Sequence, residues 1–523
     1  MKGPAVNSPA QPRRSWVALA IATLLFAAGF AIANRFQLTH GVLYRLAAND
    51  VPHATANFLL LALQALALLA AVALLGRKLF ITVMGLAFVS ILVNLGYGQT
   101  VNDVIGAGTV QWMTAESRQA GNVAGEFAWP LVLAGLQAAL AIALFVAARL
   151  VLWRGGWSRP GWIAAGAGLA ALLAPSLVAA TTSAAERNFY SLALEVALAE
   201  SPPPRAPVDL VPDVAGTPRH VVWLVDESVE YQQFHELIGP RLAGIEHLDF
   251  GMTAALGNCS APSNVALRSG VDVRRAGPTM DLRATPSIWG YAHKAGYRTM
   301  LIDGQASGAP QNLLLPPERA LIDEVVSAAG DYDTDLRIAE RLNRQLRDNR
   351  RTFTYAVLRG VHFQYRDHFP AGLIPADSPA PVQYRTALTY SKDRFFERLL
   401  AGVDRQDVAI VYTSDHGQNL APDAVPHCSP APVPAELHVP LLAFLPDRLA
   451  AAYAAAPLEK HSASQVFPAT LTWMGYDRAA VEPRYDRDLG ALPKAYVRFA
   501  RDVVPLRTGG QIGISVEREF PTD

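Results

Sequence analysis

The stretch Val408-Ala-Ile-Val-Tyr-Thr-Ser-Asp-His-Gly417 joins an apolar, β-branched run to a tandem acid and imidazole. Such a run, bounded by turn residues, predicts a buried strand. Asp415 and His416 then offer one oxygen and one nitrogen donor, a mix that suits zinc or manganese better than calcium. Gly417 lets the backbone turn tightly beside an ion. An ordinary Asp-His-Gly turn has the same letters, so the motif gains its weight from its surroundings.

Working outward, further strands are predicted at His220–Val225, Arg298–Ile302 and Phe353–Leu358. Helical stretches are predicted over Ser263–Ser269, Pro286–Ala295, Thr334–Asn349, Gln383–Leu400 and Ser462–Met474. Alternation of this kind predicts an α/β domain with a mostly parallel central sheet. Sites on such sheets form beyond the carboxyl ends of the strands. Asp226 and Glu227 follow the first strand, and His362 follows Phe353–Leu358 after an Arg359-Gly-Val turn. These groups are therefore expected to converge on Asp415 and His416.

A carboxylate at a strand mouth is costly to bury without a cation or hydrogen bonds. Glu227 is the candidate metal ligand there and Asp226 the weaker one. Gly257-Asn-Cys-Ser-Ala-Pro-Ser-Asn264 reads as a helix start. Unpaired N–H groups and the helix dipole favour an anion at such a point. Ser260 is the candidate nucleophile and a further metal ligand; an N-cap serine without chemistry is the plain alternative. His362 and His427 are candidates to orient a phosphate, protonate a leaving oxygen or bind a second metal. His438 and His461 read as structural or surface histidines. The two cysteines, Cys259 and Cys428, each adjoin a candidate site residue. If both neighbours face one metal, the thiols lie within bridging reach, and an exported domain is oxidising territory. A Cys259–Cys428 disulfide is expected.

The rest of the chain is of another kind. Hydrophobic residues make up 51% and charged residues 17% of the 523, a shift toward membrane composition. The formal net charge is zero, so nothing points to a nucleic-acid surface. Five apolar stretches, Ser15–Ala33, Asn57–Leu75, Leu79–Tyr97, Phe127–Ala148 and Gly161–Thr181, approach the roughly 20 residues needed to cross a bilayer. With the N-terminus inside, Lys2, Arg13, Arg14, Arg77, Lys78, Arg149, Arg154 and Arg159 fall on the inner side without any acid, whereas the outer loops carry Arg35, Arg45 and Arg118 against Asp50, Asp103, Glu116 and Glu126. This positive-inside bias with an odd number of spans puts everything after Thr181 on the outer side. Asn102–Glu126 reads as an outer loop, either an inert connector or an amphipathic piece on the membrane surface. The expected organisation is a membrane domain over 1–181, a linker over 182–218 with the stiff spacer Ser201–Pro207, and an exported catalytic domain over 219–523.

Over Arg219–Tyr476 these motifs resemble the sulfatase-like branch of the alkaline-phosphatase superfamily, in particular inner-membrane phosphoethanolamine transferases and lipoteichoic acid synthases. The resemblance rests on Glu227-Ser228, Cys259-Ser260, Gly296–Thr299, Gly360–Tyr365, Ser414-Asp-His-Gly417, His438-Val-Pro-Leu441 and Met474-Gly-Tyr476. It implies that Glu227, Asp415, His416 and Ser260 hold a divalent metal, zinc first with manganese as the alternative, and that Ser260 carries a phospho group. His362 and His427 would bind the substrate phosphate or a second ion. The implied reaction moves a substituted phosphate, phosphoethanolamine, from a phospholipid donor such as phosphatidylethanolamine to an envelope lipid or glycan. The implied location is a bacterial-type inner membrane, multi-pass, with a periplasmic or extracellular catalytic domain.

There are departures. The transferases usually carry Thr where Ser260 stands and Glu where Gln418 stands, and they have several disulfides. The rival readings are a sulfatase, for which Asn264 stands where the formylglycine motif has Arg, a phosphodiesterase or phosphatase, and a non-catalytic tethered binding protein.

Overall fold

A computed structural model describes residues 14–47, 49–115, 127–157, 183–305, 312–362, 364–422 and 424–522, together with 163, 166, 167 and 170. The chain forms two compact units, one of Met1–Val110 with Val123–Leu198 and one of Gln111–Asn122 with Ala199–Asp523.

Among the described residues of the first unit, four helices are long and apolar enough to cross a membrane: α1 (Trp16–Ala33), α2 (Val51–Leu74), α3 (Arg77–Val101) and α4 (Ala128–Arg154). The shortest has 18 residues and the longest 27. At 1.5 Å per residue they reach about 27 to 40 Å, enough for the hydrocarbon core. They coincide with the first four expected spans; the fifth, Gly161–Thr181, lies almost wholly outside the described residues. Their outward faces carry Leu24, Leu63, Leu66, Trp129 and Leu136, all exposed. A helix that is apolar on both faces belongs in lipid. Between helices, Phe26 meets Phe145 with ring centroids 5.3 Å apart. Small residues such as Ala138 and Ala141 let the backbones approach. The next helix, α5 (Ala185–Ala197), is fixed to this bundle at its start. Ser90 Oγ donates to the Ala185 carbonyl at 2.6 Å, the Ala185 N–H donates to Asn34 Oδ1 at 2.7 Å, and Asn34 Nδ2 donates to Glu186 at 3.0 Å.

The second unit is built on an eight-stranded sheet in the order β4-β3-β5-β1-β6-β7-β2-β8. The strands are β1 (His220–Asp226), β2 (Leu248–Ala254), β3 (Arg298–Asp303), β4 (Glu324–Ser327), β5 (Thr352–Val357), β6 (Val408–Ser414), β7 (His438–Phe444) and β8 (His461–Ser462). From β4 to β6 all neighbours run parallel, and β7 is antiparallel to both β6 and β2. A separate antiparallel hairpin pairs β9 (Tyr496–Phe499) with β10 (Ile514–Glu517). The sheet is thus mostly parallel, as its alternating pattern implies.

The four expected strands form within a residue or two of their bounds because parallel strands buried on both faces read as unbroken apolar runs. Val221, Trp223 and Val225 of β1 face one core with Phe353, Trp289 and Phe467, while Val222 and Leu224 face another with Phe234, Tyr384 and Tyr412. Strands β2 and β7 escape that reading for a reason visible in the chain. Pro440 interrupts β7 and the pairing shifts between Asp249 and Met252 of β2, so both carry the residues that normally end a strand. The expected helix Gln383–Leu400 is two helices, Ala380–Lys392 and Phe395–Leu400.

The proline-bearing segment is not a free spacer. Arg205 is inserted beneath the domain surface, where it meets Glu318 Oε2 at 2.6 Å and donates to Ser269 Oγ and the Leu282 carbonyl. Ala206 N–H donates to the Ala284 carbonyl. The extended conformation prolines favour is there, but one basic side chain among them finds a buried acid, and that docks the strap.

Candidate metal centre and nucleophile

Strands β1 and β6 pair in register, Asp226 opposite Ser414, so the next residues, Glu227 and Asp415, leave the sheet side by side. The Asp415 N–H donates to the Asp226 carbonyl at 3.0 Å, and Ser414 Oγ donates to the same oxygen at 3.1 Å. These bonds fix the mouth of the sheet. Gly417 is needed next: a Cβ there would lie 2.1 Å from the Ala435 carbonyl oxygen.

Three side chains converge. Ligand atoms of Glu227, Asp415 and His416 all lie within 4.8 Å of one another, and all three residues are buried. The His416 Nδ1–H donates to the Gly417 carbonyl at 2.8 Å, which turns Nε2 toward the acids. That Nε2 is 3.3 Å from Glu227 Oε1 and 3.8 Å from Asp415 Oδ2. Ser260 completes the group from the start of the helix Ser260–Ser269. Its Oγ donates to Glu227 Oε1 at 3.1 Å and lies 3.2 Å from His416 Nε2. Four ligands about 2.0 Å from a tetrahedral zinc stand about 3.3 Å apart, so these side chains could hold one ion between them.

The electrostatics agree. Among the protein groups alone, burial and the Glu227 charge push the Asp415 carboxyl well above its ordinary range. Burial works the same way on Glu227, but the hydrogen bond and charge of His416 outweigh it and hold that carboxyl low. Burial opposes protonation of His416, yet Asp415 and Glu227 raise it to about 9. One imidazolium thus lies beside a carboxyl held low and a carboxyl pushed up, and Asp415 Oδ2 accepts no hydrogen bond among the described residues. A buried acid oxygen with no donor is costly, and a divalent cation between these groups relieves it.

His427 lies beside this group, its ring 4.6 Å from His416 and 5.6 Å from His362. Burial and the charges of His416 and His362 hold the His427 imidazole well below its ordinary value, so it is neutral. Its Nδ1 meets Gln418 Oε1 at 3.1 Å, and the Gln418 amide donates to Tyr365 Oη. The amide oxygen can only accept, so Nδ1 carries the proton and Nε2 is free as a ligand or base. Cys259 and Cys428 are bonded to each other, tying the nucleophile loop to the His427 loop. Asp226 stands apart from the ligands: its Oδ2 meets Lys392 Nζ at 2.9 Å and accepts from Tyr412 Oη at 2.6 Å. His438 and His461 are also elsewhere, bonded to Pro521 and Gln465.

Several positioning groups have no motif in the sequence. Gln305 donates from Nε2 to Glu227 Oε2 at 2.7 Å. It follows β3 directly, so the strand-end rule could have found it. Asn264 donates to the Ser260 carbonyl at 2.9 Å and accepts from Tyr355 Oη at 2.6 Å, which holds the helix start in place. Lys392 repeats the buried spacing Tyr384, Leu388, Lys392 along one helix face, a pattern that assigns the lysine inward.

An α/β unit with a hydroxyl and metal-donor cluster at the carboxyl ends of its parallel strands has the architecture of a sulfatase-type domain. Residues 219–476 match the Sulfatase family model. The chain is similar in structure to the integral membrane lipooligosaccharide phosphoethanolamine transferase A of Neisseria meningitidis, at 15% identity and a TM-score of 0.56, covering 90% of this chain and 97% of that one. The periplasmic domain of EptC from Escherichia coli, in its form complexed with zinc, aligns over 54% of this chain and 89% of that one, at 16% identity and a TM-score of 0.44. No curated protein matches the sequence.

Proposed function

We propose that this is a membrane-anchored, metal-dependent phosphotransferase that moves phosphoethanolamine from a phospholipid to an envelope lipid or glycan through a covalent Ser260 intermediate. The observation that carries the reading is Ser260 Oγ lying 3.1 Å from Glu227 and 3.2 Å from His416, inside a donor set whose Asp415 oxygen has no hydrogen-bond donor among the described residues. Glu227, Asp415, His416 and Ser260 are the residues that would hold the ion, zinc before manganese. When bound, it would supply the charge that makes the Ser260 hydroxyl acidic and offsets the negative phosphoryl oxygens.

The chain's own residues supply the rest. In the first half-reaction a bond forms from Ser260 Oγ to phosphorus and the bond from phosphorus to the diacylglycerol oxygen breaks. The Ser260 proton passes to a histidine at the mouth, His362 or the neutral His427, and from it to the departing oxygen, which leaves as diacylglycerol. In the second half the acceptor hydroxyl attacks phosphorus and gives its proton to that histidine, the bond from phosphorus to Ser260 Oγ breaks, and Oγ takes that proton back. The N–H groups at the start of the Ser260 helix favour the anionic group during both halves. A multi-span anchor keeps such a domain at a lipid surface, and the fold shared with a membrane phosphoethanolamine transferase supports a periplasmic site on a bacterial inner membrane.

The test is incubation of the purified full-length chain with headgroup-labelled phosphatidylethanolamine, followed by peptide mass measurement. A phosphoethanolamine adduct on Ser260 with release of diacylglycerol is expected, and neither in Ser260→Ala. Formylglycine at position 260 would instead make it a sulfatase, and free phosphoethanolamine with no acceptor product would make it a phosphodiesterase.

A further inference from the structure

Lys392 is buried, its side chain fully shielded from solvent, although it belongs to no motif. It ends the helix Ala380–Lys392 with its ammonium between two carboxylates, 2.9 Å from Asp226 Oδ2 and 2.7 Å from Asp335 Oδ2. Ser391 Oγ adds a bond to Asp335 Oδ2 at 2.6 Å. Burying a lysine costs several kcal/mol unless its partners are held in place, and here each partner is spent on a different loop of the site.

Asp226 is the last residue of β1, and its Oδ1 accepts the Glu227 N–H at 3.1 Å. Asp335 accepts the Arg359 N–H at 2.7 Å and the Gly360 N–H at 3.2 Å, the turn that leads to His362. That turn presses on the metal ligand. The Val361 N–H donates to the Glu227 carbonyl at 3.0 Å. Gly360, at φ +58°, passes so close that a Cβ would lie 2.5 Å from the Glu227 carbonyl oxygen. One ammonium therefore reaches Glu227 through Asp226 and His362 through Asp335.

We propose that Lys392 is a positioning residue that ties the ends of β1 and β5 together and so sets the spacing between the metal held at Glu227 and the histidine that faces the substrate. The inference rests on the reading of Glu227 as a metal ligand and goes beyond it by assigning the control of the site's geometry to a helix that touches neither metal nor substrate. Freed from the ammonium, Asp226 no longer holds the Glu227 backbone; freed from Asp335, the Gly360 turn no longer holds His362.

The experiment uses the full chain in detergent, with zinc affinity read by competition against a chromophoric chelator and turnover read with headgroup-labelled phosphatidylethanolamine. Lys392→Met should weaken zinc binding by roughly 10- to 100-fold, the range for outer partners of metal ligands. Asp335→Asn keeps the Lys392–Asp226 pair and should leave zinc affinity near that of the parent while raising KM for the donor by about tenfold. If Lys392→Met does not fold, the KM of Asp335→Asn decides. Folded variants whose zinc affinity and KM stay within about twofold of the parent, against a loss of zinc in Glu227→Gln, would overturn the proposal and leave the metal reading standing. A parent that holds zinc no better than Glu227→Gln would bring down both.

Discussion

Of the groups of charge buried in the second unit, two are closed in different ways. Glu318 gives one oxygen to Arg205 at 2.6 Å and the other to Arg268 at 2.9 Å, so each lone acid oxygen has its own guanidinium. Burial presses the Glu318 carboxyl upward, and the two arginines more than reverse it. Glu227 and Asp415 are as deeply buried, yet they share one imidazole, and one oxygen of Asp415 accepts no hydrogen bond among the described residues. In the first cluster every acid oxygen has a hydrogen bond from a protein cation, whereas in the second one acid oxygen has none among the described residues. On the proposed reading the contrast is between a structural ion cluster and a site for a cation, although both are buried acids beside bases.

The contrast can be broken by taking the nucleophile away. Ser260→Ala should reduce transfer by about 10³-fold or more, since a group that forms the covalent bond has no substitute nearby. Its melting temperature should stay near that of the parent, because Ser260 is partly exposed and its hydroxyl is not a structural keystone. Turnover and thermal melts of the same preparation check both halves of this expectation.

The closed cluster should respond in the opposite way. Glu318→Gln leaves Arg205 and Arg268 buried without their acid and should cost about 3–5 kcal/mol of stability. Zinc affinity of the fraction that remains folded should not change. A melt that moves only slightly would show that the arginines find other partners and that the cluster is not what holds the proline-bearing strap.

A smaller effect tests the turn between the two loops. His368 is buried against the Gly360 carbonyl, and burial, with the charges of Arg359 and His362, holds its imidazole down at about 3. Its unfolded value is near 6.5. Above that pH neither state binds the proton and the group contributes no pH dependence. As pH falls below it, only the unfolded chain takes up the proton, so stability drops by about 1.4 kcal/mol per pH unit until the folded value is approached. His368→Phe should flatten the melting temperature between pH 6.5 and pH 4 relative to the parent, and an unchanged slope would assign the acid sensitivity elsewhere.

Much of this was legible in the chain, and the parts that were not share a cause. β1, β3, β5 and β6 are buried on both faces, so their composition is unbroken and their ends carry the polar groups. The meeting of Glu227, Asp415, His416 and Ser260 followed from that rule together with the helix start at Ser260. What sequence could not resolve was direction. Asp226 and Glu227 are adjacent and alike, but successive side chains on a strand point to opposite faces, so only one of them can meet the ion. The other turned to Lys392, a residue whose role depends on a helix more than 150 positions away. The docking of Arg205 was hidden in the same way, because a proline run describes the backbone and not the one side chain that finds Glu318.

The central claim is that Glu227, Asp415, His416 and Ser260 enclose one divalent cation. The most direct measurement is the metal content of the full-length chain, purified without added metal and dialysed against a weak chelator, beside the Glu227→Gln/Asp415→Asn double variant. The account predicts close to one zinc or manganese per parent chain and almost none in the double variant. Equal metal content in the two proteins would contradict it.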